Sequence, residues 1–376
     1  MTKQARIILE DGSVFSANAF AESDDKVGEL VFNTSMTGYE EICTDPSYKG
    51  QIVVMCYPLI GNYGCSSAVR QSHHCHLEGM IVKKYCSSPQ HYDNEISLAS
   101  YLEDENVMGL CDVDTRALTR YLRDKGSQMA LITSNENLDI AQAQAKIKQH
   151  TPTSQQNFVK DVSCKKAYTW KAPDQPLFNV AVLDCGVKFG ILDALRSISA
   201  AVTVYPYHTS AEEILTGGYD GILISNGPGN PENTPEVVDT IRQLLGKIPL
   251  FGICLGQQFL ALALDIPLVK LGFGHHGANH PVLNLETKRV EISSQNHIYN
   301  VDSDVAKSKG IHITHINLND QTVAGFSVPD QMAFSVQYHP EACPGPGDSA
   351  YLFEAFAKMM TNKTAVSFQE FKYAKA

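Results

Sequence analysis

The strongest candidate for a nucleophile in this chain is a cysteine flanked by glycines. The stretch FGICLGQQ places Cys254 between Gly252 and Gly256, the glycine–x–nucleophile–x–glycine pattern of a sharp strand-to-helix turn. Such a turn strains the backbone of the nucleophile and sets its thiol at a helix N-terminus, where the thiolate is favoured. Because the chain has ten cysteines, a buried structural cysteine is the alternative interpretation.

A base for that thiol is available in the stretch QYHPE. Pro340 restricts His339 to an extended backbone, and in an extended segment residues i and i+2 project to the same side. His339 could therefore take the thiol proton while Glu341 orients the imidazole. The long separation from Cys254 is no obstacle, since catalytic triads are assembled in space. Taken alone, a His-x-Glu pattern is also typical of a surface pair.

A Gly-Pro-Gly turn in the stretch SNGPGNP could complete the site. It follows the apolar stretch GILIS, so its backbone N–H groups would lie near the end of a strand. One of these groups, together with the N–H of Leu255, could form an oxyanion hole. An ordinary glycine–proline turn is the alternative.

The elements around these residues alternate between strand and helix, as expected of a doubly wound, mainly parallel α/β sheet. In such a sheet the turns at the strand ends carry the ligand site. From about Pro281 onward, VLNLE, RVEIS and MAFSVQY predict additional, partly antiparallel strands. The predicted strands are 179–183, 202–205, 221–225 and 249–253, and the predicted helices are 191–195, 211–215, 234–245 and 257–264.

The first half predicts a smaller domain of mixed β/α structure. Asp11-Gly12 lies between two apolar stretches and predicts a hairpin, and QIVVMCY at 51–57 predicts a buried strand. Helical spacing in DTRALTRYLRDK predicts a helix with Asp114 as N-cap and Gly126 as its stop. A polar, proline-containing stretch at about 151–176 predicts a connection between the domains. The predicted boundaries are 1–150 for the first domain, 151–177 for the connection and 178–366 for the second domain.

Composition and charge limit the classes of function. A chain of 376 residues with 43% hydrophobic and 19% charged residues fits two soluble domains. The net charge of −11 disfavours a nucleic-acid partner. No apolar run reaches the length of a membrane span, and no signal peptide is recognised, so a cytoplasmic protein is expected. Cys-x-x-Cys pairs are absent, and the histidine clusters at 73–76 and 275–276 are expected to be structural, so no metal site is predicted.

The three stretches SNGPGNP, FGICLGQQ and QYHPE, in this order and strand context, resemble the class I glutamine amidotransferases. The resemblance implies that Cys254 attacks the side-chain amide of L-glutamine and forms a glutamyl thioester. It implies that His339 passes the thiol proton to the leaving ammonia and that Glu341 orients His339.

The first half resembles the family of carbamoyl-phosphate synthase small chains. The stretches VFNTSMTGYEE, TDPSY, YPLIGN and DVDTR carry the resemblance, and GHHGANHP and SQNH continue it in the second half. The likeness is collinear over nearly the entire chain. It implies a glutamine site formed by Ser47 from the N-terminal domain, Gly227, Gly229, the N–H of Leu255, the side chain of Gln258, and Asn296, Ile298 and Tyr299.

The chain departs from this family at two stretches. The family usually has Asn-His-Gly-Phe where this chain has NHIY, so Ile298 replaces a glycine. If that glycine has a positive φ, a β-branched residue forces the loop to rearrange. Activity is expected to persist, with an altered KM for glutamine. The second departure is VKFG, where the family commonly has Lys-Arg-Asn; Lys188 is retained there, and no role is predicted for it.

A partner is expected because the chain contains neither a Walker P-loop nor a stretch that resembles an ATP-grasp fold. The resemblance implies a large synthetase subunit that binds ATP and Mg²⁺ and receives the ammonia through a sheltered route. No cofactor is expected in this chain itself. Two alternatives stay open, a stand-alone γ-glutamyl hydrolase and a non-catalytic regulatory subunit. The sequence does not separate a role in arginine biosynthesis from one in pyrimidine biosynthesis.

Overall fold

The computed structural model describes residues 3–371 and divides them into two compact units. The first unit contains the described residues up to Gln156 together with Gly272–Gly277, and the second contains the rest. The predicted connection is built from short elements and is shared between the units. The hydroxyl of Thr153 donates to Glu29 at 2.7 Å within the first unit. The N–H of Cys164 donates to Asp184 at 2.7 Å within the second.

The segment Gly272–Gly277 was predicted to belong to the second domain, but the structure assigns it to the first unit. Backbone hydrogen bonds explain this assignment. The N–H of Ser127 donates to the Gly272 carbonyl at 2.9 Å, and the N–H of Thr34 donates to the His276 carbonyl at 3.1 Å.

A closed barrel forms the core of the first unit. Its strands are joined in the order β1-β2-β8-β6-β4-β3-β9. The predicted hairpin at Asp11-Gly12 is confirmed, because β1 and β2 pair in antiparallel register on either side of it. The strands of this unit are β1 (Lys3–Leu9), β2 (Val14–Ala21), β3 (Lys26–Asn33), β4 (Gln51–Met55), β5 (Leu59–Ile60), β6 (Gly79–Ile81), β7 (Lys84–Tyr85), β8 (Met108–Cys111) and β9 (Gln128–Thr133).

Four α-helices belong to the described part of the first unit, α1 (Tyr39–Thr44), α2 (Leu98–Asp104), α3 (Thr115–Lys125) and α4 (Ile140–Gln149). The predicted helix is confirmed as α3. Its N-cap Asp114 accepts the N–H of Ala117 at 3.0 Å, and Gly126 ends it with a φ of 90°. Leu118 and Leu122, one turn apart, are buried against the barrel, so the apolar spacing that predicts the helix also fixes its packing face.

A ten-stranded sheet organises the second unit, in the order β10-β12-β11-β13-β14-β19-β18-β17-β15-β16. Its five central strands are parallel, as predicted for a doubly wound sheet; in spatial order they are β12, β11, β13, β14 and β19. The strands are β10 (Tyr168–Thr169), β11 (Phe178–Asp184), β12 (Ala200–Pro206), β13 (Gly221–Ile224), β14 (Leu250–Ile253), β15 (Leu268–Asn284), β16 (Val290–Val301), β17 (His312–Asn317), β18 (Val323–Val328) and β19 (Ala333–Val336).

Helices cover both faces of this sheet, and each face carries its own apolar core. The helix after β13 follows the prediction, since Thr234 is its N-cap and Pro235 its first residue. The final helix was not predicted. The helices are α5 (Val159–Val162), α6 (Phe189–Ser197), α7 (Ala211–Thr216), α8 (Pro235–Leu244), α9 (Leu255–Ala263), α10 (Ser303–Ser308) and α11 (Tyr351–Asn362).

Candidate active site

Cys254 occupies the turn between β14 and α9. Its N–H donates to the Val336 carbonyl of the neighbouring strand at 2.8 Å, and α9 begins at the next residue, Leu255. The backbone of Cys254 has φ 54° and ψ −103°, a conformation that residues with a side chain rarely adopt. The strained nucleophile turn predicted from the sequence is therefore present, and its thiol lies at a helix N-terminus.

The two glycines beside Cys254 are required by close packing of the main chain. A Cβ on Gly256 would lie 2.2 Å from the Ile224 carbonyl oxygen, and one on Gly252 would lie 2.8 Å from the backbone of Gly256. Neither glycine has a positive φ. The pattern thus reflects the tightness of the turn, while the strain itself is held by Cys254.

The Cys254 thiol is buried, with 1% of the residue exposed. It donates to the carbonyl oxygen of Asn296 at 3.6 Å, and the side-chain amide of Gln337 donates to its sulfur at 3.7 Å. Strand β16 and the stretch before His339 therefore both contact the nucleophile.

His339 and Glu341 lie together, as the sequence predicts. His339 Nδ1 is 2.7 Å from Glu341 Oε1, and the backbone N–H of His339 donates to the Ser294 carbonyl at 2.9 Å. Nε2 of His339 is buried and has no hydrogen-bond partner within residues 3–371. The Cys254 thiol is close enough to affect the ionisation of this ring. The imidazole is thus anchored through one nitrogen, and its other nitrogen is available to a thiol proton.

Lys188 belongs to the same cluster, although the sequence predicted no role for it. Its ammonium lies 2.9 Å from Glu341 Oε1 and donates to the Ala342 carbonyl at 2.8 Å. The one sequence signal that could have revealed it is its position just beyond the carboxyl end of β11, at the start of α6.

The charges of this cluster set the ionisation of the base. Burial is the largest single influence and lowers the pKa of His339, but the Glu341 carboxylate and the nearby Cys254 together outweigh it, and the pKa is raised to about 10. Burial raises the pKa of Glu341, but Lys188 and His339 outweigh it and lower the pKa to about 2. Glu341 is therefore ionised, and it favours the imidazolium that forms when His339 accepts a proton.

Two side-chain amides, those of Gln258 and Gln337, are joined by hydrogen bonds to each other and to the Cys254 sulfur. The side-chain amide of Gln258 donates to the Tyr299 carbonyl at 3.0 Å and to the side-chain oxygen of Gln337 at 3.3 Å. Gln258 was predicted to contribute its amide to the glutamine site. Gln337 was not singled out, although it lies in the same QYHPE stretch as the base.

Asn296, Ile298 and Tyr299 all lie within β16, the strand that contacts the nucleophile. Ile298 is 7% exposed and sits in extended backbone, without a positive φ. The isoleucine therefore fits this strand without backbone strain, and the loop rearrangement considered from the sequence is not needed.

The Gly-Pro-Gly turn follows β13, at the end of the sheet where Cys254 lies. A Cβ on Gly227 would lie 2.0 Å from the Cys185 carbonyl oxygen, so only glycine fits there. Gly229 has a φ of 88°. Leu255 is the first residue of α9, a position whose N–H has no acceptor within the helix. The predicted oxyanion-hole residues thus occupy adjacent strand ends.

Ser47 belongs to the first unit, in a single 3-10 turn over Pro46–Tyr48. Its N–H donates to Asp45 Oδ1 at 2.9 Å, and the residue is 6% exposed. The structure thus explains its local conformation, while its predicted contact with glutamine stays a prediction.

The histidine cluster at 73–76 has contacts with neighbouring side chains. Nε2 of His76 lies 2.9 Å from the hydroxyl of Ser72, and His74 lies 3.6 Å from Glu105. Within residues 3–371, no group of three or more His, Cys, Asp or Glu side chains is arranged to hold a metal ion. None of the helices described has the length and hydropathy to cross a membrane.

Two family models match the chain. Residues 7–132 match the CPSase domain of the carbamoyl-phosphate synthase small chain, and residues 181–359 match the class I glutamine amidotransferase family. The first match covers most of the barrel unit, and the second includes Cys254, His339 and Glu341.

Curated relatives match over nearly the full length. The carbamoyl phosphate synthase small chain of Syntrophotalea carbinolica is 44% identical over 369 residues, covering 95% of this chain and 98% of the relative. That of Vibrio parahaemolyticus is 42% identical and covers 97% and 100%. The pyrimidine-specific small chain of Halalkalibacterium halodurans is 46% identical and covers 94% and 96%.

Proposed function

The chain belongs to the family of carbamoyl phosphate synthase small chains and is a glutamine amidotransferase, and from this premise we propose that Cys254 hydrolyses glutamine through a covalent thioester. The observation that carries the proposal is a group of three buried residues: Cys254 with its strained backbone, the His339 imidazole, and the ionised Glu341 that contacts it. A cysteine nucleophile, a base and an orienting carboxylate are the parts that covalent amide hydrolysis requires.

In the first half of the reaction, the thiol proton of Cys254 passes to His339 Nε2, and Cys254 Sγ then attacks the side-chain amide carbon of glutamine. The carboxylate of Glu341 stabilises the resulting imidazolium through Nδ1. The N–H of Leu255 and a donor of the Gly227–Gly229 turn would bind the oxyanion, because both belong to strand ends beside the nucleophile.

In the second half, the tetrahedral intermediate collapses and the C–N bond breaks. His339 gives its proton to the leaving nitrogen, so ammonia departs and a glutamyl thioester remains on Cys254. Water then adds to the thioester with His339 as base, and glutamate and the free thiol are released.

The amino-acid end of glutamine would be bound by Gln258 and the β16 residues Asn296, Ile298 and Tyr299. The contacts of β16 support this proposal. The Asn296 carbonyl accepts a hydrogen bond from the Cys254 thiol, and the Tyr299 carbonyl accepts one from the Gln258 side chain. A ligand along this strand would lie directly beside the nucleophile.

The ammonia would pass to a large synthetase subunit that binds ATP and Mg²⁺ and makes carbamoyl phosphate from bicarbonate. Free ammonia is mostly protonated at neutral pH and then is not a nucleophile, so a sheltered route between subunits keeps it reactive. An uncoupled glutaminase wastes glutamine, so turnover by the isolated chain should be slow and should rise with the large subunit, ATP and bicarbonate. The complex is proposed to act in the cytoplasm.

The decisive experiment is covalent labelling with an electrophilic glutamine analogue, such as a chloroketone. One label per chain is expected on Cys254, protected by glutamine and lost in Cys254→Ser. Cys164→Ser is the matched control, since Cys164 is a partly exposed cysteine of the same unit. Absence of labelling at Cys254 in the native chain would favour a non-catalytic regulatory subunit. Full glutaminase turnover without a large subunit would favour a stand-alone γ-glutamyl hydrolase.

A further inference from the structure

Three cysteines of the first unit, Cys43, Cys65 and Cys75, lie near one another and outside the candidate active site. Cys43 lies in α1 and is fully buried, Cys65 is 1% exposed, and Cys75 is partly exposed. Burial is the main reason that the pKa of the Cys43 thiol is raised, and among the neighbouring thiols Cys75 contributes more than Cys65. Cys75 is therefore the cysteine of the cluster that interacts most strongly with Cys43.

The main chain holds this pair in place. The N–H of His76 donates to the Cys43 carbonyl at 2.8 Å, and the N–H of Cys75 donates to Glu105 at 3.2 Å. Thr44, the last residue of α1, accepts the N–H of Gln71 at 2.9 Å. The segment that carries Cys75 is thus hydrogen-bonded to Cys43 through the next residue, His76, which brings the two cysteines to neighbouring positions of the main chain.

We propose that Cys43 and Cys75 are a dithiol that a hydroperoxide converts to a disulfide. The proposal does not depend on the glutaminase activity, because both cysteines lie in the barrel unit and neither belongs to the candidate active site.

The reaction balances in two steps. Cys75 Sγ attacks the outer oxygen of the hydroperoxide, the O–O bond breaks, and Cys75 becomes a sulfenic acid while an alcohol or water leaves. Cys43 Sγ then attacks the Cys75 sulfur, the S–O bond breaks, and the hydroxyl leaves as water with the Cys43 proton. The two thiols are oxidised, and the hydroperoxide is reduced.

Exposure decides which cysteine reacts first. Burial raises the pKa of the Cys43 thiol well above its usual range, so Cys43 stays protonated and out of reach of the oxidant. Cys75 is partly exposed and meets the oxidant. Because the main chain holds Cys43 beside the segment that carries Cys75, Cys43 can resolve the sulfenic acid before a second oxidation occurs.

The disulfide would fix the C-terminal end of α1 to the segment that carries Cys75. That end leads directly into Asp45 and the turn over Pro46–Tyr48. Oxidation is therefore expected to rigidify this part of the first unit.

Hydrogen peroxide followed by peptide mapping under non-reducing conditions tests the proposal on the full native chain. A peptide pair joined through Cys43 and Cys75 is expected, and dithiothreitol should release it. Cys86 is the internal control, because it is also partly exposed but its sulfur contacts only the Ser88 carbonyl among the bonds described for it. Cys86 should be found as sulfenic or sulfinic acid.

Two variants sharpen the test. The linked pair should persist in Cys65→Ser and disappear in Cys75→Ser, where Cys43 should remain a free thiol. The mapping of the native chain decides the question even if a variant fails to fold. Recovery of Cys75 as a sulfinic acid beside an unmodified Cys43, or a link from Cys43 to Cys65, would overturn the proposal.

Discussion

The ammonium of Lys188 lies 2.9 Å from Glu341 Oε1, the same oxygen that lies 2.7 Å from His339 Nδ1. The three side chains are between 0% and 2% exposed. An unpaired carboxylate at such a depth costs several kcal/mol, so Lys188 is what allows Glu341 to stay ionised while it holds the imidazole. Lys188 is thus a positioning residue for the base, acting through Glu341.

Replacing Lys188 by methionine should impair both catalysis and stability. The variant keeps the volume of the side chain but leaves the buried carboxylate unpaired, so Glu341 tends to protonate and no longer stabilises the imidazolium. We expect kcat for glutamine hydrolysis to fall roughly 100-fold or more and the free energy of unfolding to fall by about 3–5 kcal/mol. Steady-state kinetics and urea unfolding measure the two effects.

Lys165→Met is the matched control for this experiment. Lys165 belongs to the same unit, is exposed, and donates only to the Lys160 carbonyl among the bonds described for it. It should change neither kcat nor stability by more than about 0.5 kcal/mol. If Lys188→Met were as active and as stable as Lys165→Met, the positioning role of Lys188 would be refuted.

The pH dependence of stability should report the ionisation of His339. Its pKa is raised to about 10 in the folded chain, against about 6.5 when unfolded. The corresponding stabilisation is fully present below about pH 6.5 and is lost as the pH rises through about 10. We expect the free energy of unfolding to fall by a few kcal/mol across this window, as measured by urea unfolding.

Glu341→Gln should flatten this dependence, because it removes the carboxylate that raises the pKa of His339. Glu354→Gln is the control, since Glu354 is an exposed carboxylate of α11. An equal slope in Glu341→Gln and the native chain would contradict the assignment of the pKa shift to this pair.

Several elements in both units could be predicted because short stretches of sequence determine them. β14 is a short apolar stretch that ends at a glycine-flanked nucleophile, and α3 carries its cap, apolar face and glycine stop within the helix itself. The parallel sheet followed from the alternation of such stretches. The triad could be predicted for the same reason, since each of its parts lies in a short recognisable stretch.

Features that depend on distant pairing were not predictable in this way. The closure of the barrel depends on the pairing of β1 with β9, far apart in sequence. β17 and β18 were not predicted, and β15 begins at Leu268, well before the expected start. Lys188 reaches Glu341 only because β11 and the segment after β19 end on the same side of the sheet, a relationship that no local spacing encodes.

Gly256→Ala should disrupt the nucleophile turn. The added Cβ would lie 2.2 Å from the Ile224 carbonyl oxygen, a main-chain atom that cannot move without shifting β13. We expect a loss of roughly 1–3 kcal/mol in the free energy of unfolding and a large fall in kcat, because α9 and Cys254 must shift. Gly347→Ala is the control, since a Cβ added there would have no other atom within 4 Å and the φ of Gly347 is not positive. Equal activity and stability of the two variants would contradict the close-packing explanation.

Ile298→Gly tests whether the isoleucine at this position of β16 tunes substrate binding. Ile298 is buried in β16 between two residues proposed to bind the amino-acid end of glutamine, and it does not contact the Cys254 thiol in any bond described. Glycine would remove its packing and loosen the strand, so we expect a loss of about 2–5 kcal/mol in stability and a change in KM for glutamine that exceeds the change in kcat. Ile292→Gly, at a more exposed position of the same strand, is the control. Unchanged KM and kcat in Ile298→Gly would show that the isoleucine has no part in substrate binding, and a fall confined to kcat would place its effect on the nucleophile.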